Sequence, residues 1–110
     1  MAEAAPLQIA VDELAHLRAG PQAPAILDVR EGWEVEICAF PDALHIPLGE
    51  LPGRLDAVPA DRQVVVVCHH GMRSLQAVQW LRAQGRDRTT NLVGGIDAWA
   101  RLIDPAMAQY

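Results

Sequence analysis

A chain of 110 residues, 51% of them hydrophobic, is one domain's length with apolar material for a full core, so it needs neither a disulfide framework nor a structural metal to fold. Nine arginines against fourteen acids leave a net charge of −5, which disfavours nonspecific nucleic acid binding and attachment to an anionic membrane. No lysine occurs anywhere, and that excludes Schiff-base chemistry, a lysine general base and a P-loop.

Met1 to Pro6 carries no basic stretch followed by an apolar one, and no later apolar run approaches the ~18 residues of a membrane span. The expectation is a cytoplasmic protein with Cys38 and Cys68 as free thiols. Leu7-Gln8-Ile9 predicts a short strand, and Val11, Leu14, Ala15 and Leu17 follow at helical spacing until Gly20-Pro21. Ala25 to Val29 predicts a second strand, Gly32 to Phe40 a short helix stopped by Pro41, and Ala43 to Ile46 a third strand. Leu48, Leu51, Leu55 and Val58 recur at helical intervals, but Pro52-Gly53 makes that helix short or irregular.

Gln63 to Val67 is apolar on both faces and β-branched throughout its four valines, the pattern of a central parallel strand. It ends at Cys68. Ser74 is read as the cap of a helix whose apolar face is Leu75, Val78 and Leu81 with Ala77 on its flank, and Gly85 ends it. Thr89 to Val93 predicts a fifth strand, Gly94-Gly95 a turn, and Ile96 to Leu102 a last helix. No repeat or low-complexity tract interrupts the chain, so residues 1–110 are read as one domain with its core at about 7–102 and a tail at 103–110. The predicted fold is α/β: a five-stranded, mainly parallel sheet with helices on both faces, whose sites lie beyond the carboxyl ends of the strands.

One segment meets that positional rule with reactive side chains. Cys68-His69-His70-Gly71-Met72-Arg73-Ser74 joins the best-defined strand to the best-defined helix. A loop curling over a helix N-terminus aims backbone N–H groups at its centre and adds the dipole's positive potential, which stabilises a thiolate or a bound anion. Such surroundings lower a thiol pKa from ~8.5 to between ~3.5 and ~7.5. Arg73 brings a permanent charge and a planar fork suited to an oxyanion, and Gly71 permits close backbone approach to it. Inert burial of Cys68 as a small core residue is the competing reading, and the loop's contents count against it.

The arrangement resembles the rhodanese family of sulfurtransferases. Asp28-Val29-Arg30-Glu31, His45-Ile46-Pro47 and Gly94-Gly95-Ile96-Asp97-Ala98-Trp99 are similar to further elements of that family, so four ordered motifs span roughly residues 7 to 102. The tail from Asp104-Pro105 to Tyr110 is similar to that of short bacterial single-domain members. The resemblance implies Cys68 as catalytic nucleophile and His69, His70, Gly71, Met72, Arg73 and Ser74 as the substrate-binding loop. It implies a thiosulfate-type sulfurtransferase that takes a sulfane sulfur from a small donor such as thiosulfate as a Cys68 persulfide. The persulfide then passes it to cyanide or a thiol, including that of a small redox protein, with no dissociable cofactor. A sulfur-carrier or regulatory binding module is the alternative. Phosphatases and arsenate reductases of related folds rank behind both, because their loops hold one residue more than the four that separate Cys68 from Arg73, and the shorter ring suits a terminal sulfur atom.

Neighbouring residues are weighed the same way. His69 and His70 are expected to shape the loop and its potential rather than to move protons, since thiolate attack on sulfur abstracts none from carbon. No metal site is expected, because adjacent residues on a tight loop rarely converge on one ion. Arg30 is read as half of a structural ion pair, Cys38 as an apolar filler, and Trp80 and Trp99 as packing anchors. Trp33 is left without a role.

Overall fold

The structure, a computed structural model, describes residues 5–110. Most of the Met1 to Pro6 segment, read above for an export signal, lies outside the described residues. Five parallel strands form one sheet: β1 (Gln8–Ile9), β2 (Ala25–Asp28), β3 (Leu44–His45), β4 (Val64–Val67) and β5 (Thr89–Leu92), in the spatial order β1-β5-β4-β2-β3. β4 sits at the centre, with Leu27 opposite Val66 on one side and Val66 opposite Asn91 on the other.

Helices α1 (Val11–Ala19), α2 (Gly32–Ile37), α3 (Met72–Ala83) and α4 (Gly95–Leu102) connect or follow these strands, and a 3-10 segment, Leu48–Ala57, precedes β4. That segment is broken at Arg54, close to the Pro52-Gly53 pair that the sequence marks as a helix disruptor. The predicted α/β architecture is the observed one. The helix expected to have Ser74 as its cap instead starts three residues earlier, with Gly71 at its N-cap and no side-chain cap. The reason is that Gly71 adopts a left-handed φ of +103°, which turns the chain into the helix directly and frees Ser74 for another use.

Alternation along β4 divides the core into two layers. Val65 and Val67 face a cluster with Val11, Leu14, Ile96 and Trp99, and Val64 and Val66 face one with Leu51, Val58, Val78 and Leu81. Each layer is covered by helices, so both faces of the four-valine strand are dry and its continuous hydrophobicity is explained. Full burial of a side chain such as Leu81 contributes roughly 1.5–3 kcal/mol. No helix among the described residues is long and apolar enough to cross a membrane.

Candidate active site

β4 delivers Cys68 to the carboxyl edge of the sheet, and the following residues wrap its sulfur. Gly71 N–H donates to Cys68 Sγ at 3.1 Å, and the Ser74 hydroxyl lies 3.3 Å from it. The first two carbonyls of the loop are held by α4. Ile96 N–H donates to Cys68 O at 2.9 Å and Asp97 N–H to His69 O at 3.0 Å. This contact explains the Gly94-Gly95 pair, because a Cβ on Gly95 would run into the carbonyls of Cys68 and His69. Gly71 is constrained likewise: its φ is +103°, and Leu92 O and Gly94 N lie close to where a Cβ would project.

Cys68 is only 1% exposed, and burial pushes its thiol up. Hydrogen bonds from the Ser74 side chain and from the backbone of Ser74, Gly71 and His70 outweigh that, and the net effect holds its pKa below the ordinary thiol value. Ser74 has one hydroxyl proton and two acceptors in reach, Cys68 Sγ and Asn91 Oδ1. Asn91 in turn donates to Gly71 O at 3.1 Å and Gln8 Oε1 at 2.9 Å. The hydroxyl can therefore serve Asn91 while the sulfur is protonated and turn to the sulfur when it is charged.

Arg73 is not the free clamp that its sequence position implies. Its Nη1 and Nη2 donate to Glu34 Oε1 and Oε2 at 2.7 and 2.8 Å, a bidentate pair in which Glu34 is buried. The pairing keeps Arg73 charged and pulls the Glu34 carboxyl down to about 2, with hydrogen bonds from the Tyr110 hydroxyl and Glu31 N–H acting in the same direction. Any anion bound at this loop shares the Arg73 fork with Glu34.

Arg30 has the structural role expected of it. It is fully buried, its Nη2 lies 2.6 Å from Asp28 Oδ2, and its fork also donates to the carbonyls of Cys38 at 2.7 Å and Glu34 at 3.2 Å. A reciprocal capping box between Glu31 and Glu34 starts α2. His45 Nε2 lies 2.7 Å from Arg30 O, so the His45-Ile46-Pro47 segment braces the same strand end. Cys38 packs partly buried beside the α1 and α4 core, Trp99 is buried within it, and Trp80 borders the opposite layer. Both cysteines are free.

His69 lies between two rings, His70 at 3.9 Å and Tyr110 at 3.8 Å, and burial followed by the nearby charge of His70 lowers its pKa. Its Nε2 is buried without a hydrogen-bond partner. His69, His70 and Asp97 each bring a ligand-type atom within 4.8 Å of the others, a convergence that the sequence does not suggest because it depends on α4. The carboxylate of this group is already engaged, since Arg101 pairs with Asp97 at 3.0 Å. Met72 projects outward at 77% exposure, leaving its backbone as its part in the loop. Trp33 is also exposed and meets the Tyr110 ring edge-on at 5.9 Å.

Three residues of this site escape a reading of the sequence. Asn91 carries a weak signal, an amide beside two threonines in a strand that buries all three, and Glu34 is marked by its three-residue spacing from Glu31. Tyr110 carries none, being far away in the chain. An apolar groove of about 180 Å³ between the 3-10 segment and α3, lined by Leu48, Leu51, Pro52, Gln76 and Trp80, holds no nucleophile and is separate from the Cys68 loop.

A parallel sheet with a thiol cradled at the end of its central strand defines the class, and sequence comparison agrees with it. Residues 10–102 match the Rhodanese-like domain, and the chain belongs to the rhodanese-like family. A sulfurtransferase of Allochromatium vinosum is 39% identical over 101 residues, covering 92% of this chain and 94% of that protein. A rhodanese-like domain protein from Staphylococcus aureus superposes with a TM-score of 0.79 at 32% identity, covering 84% of this chain and 89% of its own. A human single-domain sulfurtransferase superposes with a TM-score of 0.76 at 27% identity, covering 87% and 96%.

Proposed function

We propose that this chain is a thiosulfate-type sulfurtransferase working through a Cys68 persulfide. The observation that carries the reading is the Cys68 cradle itself: a sulfur at the end of the central strand, facing Gly71 N–H at 3.1 Å and the Ser74 hydroxyl at 3.3 Å, with a depressed pKa. The thiolate attacks the outer sulfur of thiosulfate, a new S–S bond forms to Cys68, and the old S–S bond breaks with its electron pair leaving on sulfite. Charge is conserved, since the anionic persulfide replaces the thiolate. Cyanide or a thiolate then attacks the outer sulfur and regenerates Cys68 as leaving group.

Backbone N–H groups between His69 and Ser74 stabilise the persulfide anion, and Arg73, shared with Glu34, lends its charge to the donor's oxyanion end and to departing sulfite. His69 and His70 shape the loop through their stacking. The loop of four residues between Cys68 and Arg73 favours a terminal sulfur over a tetrahedral phosphate or arsenate.

Intact-protein mass after incubation with thiosulfate, without reductant, tests the reading. One added sulfur atom is expected, lost on adding cyanide and absent in Cys68→Ser. No gain with thiosulfate or any other sulfane donor would overturn it, as would a gain in the serine variant. A gain that cyanide and thiols leave in place would favour the carrier role instead.

A further inference from the structure

Tyr110 is the single tyrosine of the chain, and it lies beside the Cys68 loop although 42 positions separate it from that cysteine. The chain after α4 folds back: Ile103 and Asp104 N–H both donate to Trp99 O at 2.9 Å, and Ile103, Met107 and Tyr110 pack against the α1 and α4 core. The Tyr110 ring then lies parallel to His69, 8° between planes, while His70 stacks on the same imidazole. Two rings within 4 Å of a third occupy its opposite faces, so His69 cannot swing unless Tyr110 leaves. The hydroxyl is fastened twice. It donates to Glu34 Oε2 at 2.7 Å and accepts from Arg30 Nη1 at 3.1 Å. Tyr110 thus bears on the loop's second residue through its ring and on Arg73, near the loop's end, through their shared Glu34.

We propose that Tyr110 is a specificity-determining residue whose ring walls the His69 side of the cradle and restricts Cys68 to small sulfur donors and acceptors. The inference rests on Cys68 being the sulfur-carrying nucleophile. The Tyr110 hydroxyl is a neutral donor to Glu34 at physiological pH, and burial raises its pKa further, to about 12.

The test compares wild type with Tyr110→Phe, Tyr110→Leu and Tyr110→Ala. Cys68 modification by iodoacetamide and by a bulky aryl maleimide is followed by peptide mass mapping, with the urea-unfolded form of each variant as the reference for full reactivity. In parallel, kcat/KM is measured for thiosulfate and for glutathione persulfide as donors. Tyr110→Ala is expected to raise the bulky-to-small ratio in both assays by about tenfold or more, the scale on which pocket size discriminates. Tyr110→Phe keeps the ring and its stack on His69 but loses both hydroxyl bonds, and is expected to stay closer to the wild-type ratio than to the alanine one. Tyr110→Leu, which retains an apolar filler against the core, should fall between and guards against simple loss of folding in the alanine variant. An unchanged ratio in Tyr110→Ala and Tyr110→Leu overturns the assignment, as does equal acceleration of both reagents or a Phe variant as open as Ala. Thiol modification needs no sulfur transfer, so a ratio that moves in a protein taking no sulfur from any donor sustains the wall and sinks the function instead.

Discussion

Ser74 concentrates the site's chemistry in one proton. Its hydroxyl is within reach of Cys68 Sγ and of Asn91 Oδ1, and the charged sulfur is the stronger acceptor. Removing that proton leaves burial less opposed. Ser74→Ala is therefore expected to move the Cys68 pKa upward and to slow persulfide formation near neutral pH by about tenfold, the scale of one charge-assisted hydrogen bond. The midpoint of the pH profile for Cys68 alkylation measures it, and a midpoint that stays in place or falls would contradict the assignment. The sequence names Ser74 as part of the loop but gives it the wrong task. A serine just before the apolar positions Leu75, Val78 and Leu81 reads as a helix cap, and only Gly71's positive φ shows that the turn needs no side-chain cap.

At the scale of elements, α3 and α4 act on the loop from opposite sides. α3 lies below the sulfur, and the first N–H groups of α4 take up the carbonyls of Cys68 and His69, turning the intervening peptide planes so that their N–H groups face inward. Gly95 is the hinge of this contact, with φ +60° and the loop carbonyls directly where a side chain would project. Gly95→Ala is expected to cost about 1–3 kcal/mol in backbone strain alone and to push the loop off α4. Urea unfolding should show the loss of stability. Sulfur loading should fall more than stability does, and a variant that loads sulfur like wild type would show that the α4 contact is dispensable. The Gly94-Gly95 pair was legible as a turn and as a family element, while its physical purpose depends on a second element arriving at Cys68.

Across the whole molecule, Glu34 ties three distant stretches together: α2, which carries it, α3 through Arg73, and the segment after α4 through Tyr110. Its carboxyl falls from an ordinary 4.5 to about 2, first through the Arg73 hydrogen bonds. The folded chain thus refuses a proton that the unfolded chain accepts. The stability this confers is complete above about pH 4.5 and is lost as the pH falls towards about 2. Glu34→Gln is expected to lower stability at neutral pH by on the order of 2 kcal/mol and to flatten the acid limb in that window. Urea midpoints at several pH values from 7 to 2.5 check it, and an unchanged acid limb would show that other carboxylates govern acid unfolding.

What the sequence determines by itself follows from local and periodic physics. Four consecutive valines require a strand dry on both faces, helical spacing of Val78 and Leu81 requires a covering helix, and a cysteine at the strand's end lies at the edge where such folds place their sites. Only the tertiary structure decides how the loop's charges are spent. Arg73 finds Glu34 39 positions away, Asn91 reaches Gly71 across the sheet, and Tyr110 returns to His69. Such pairings leave no periodic trace, because a hydrogen bond or ring stack between remote residues depends on where the whole chain brings them.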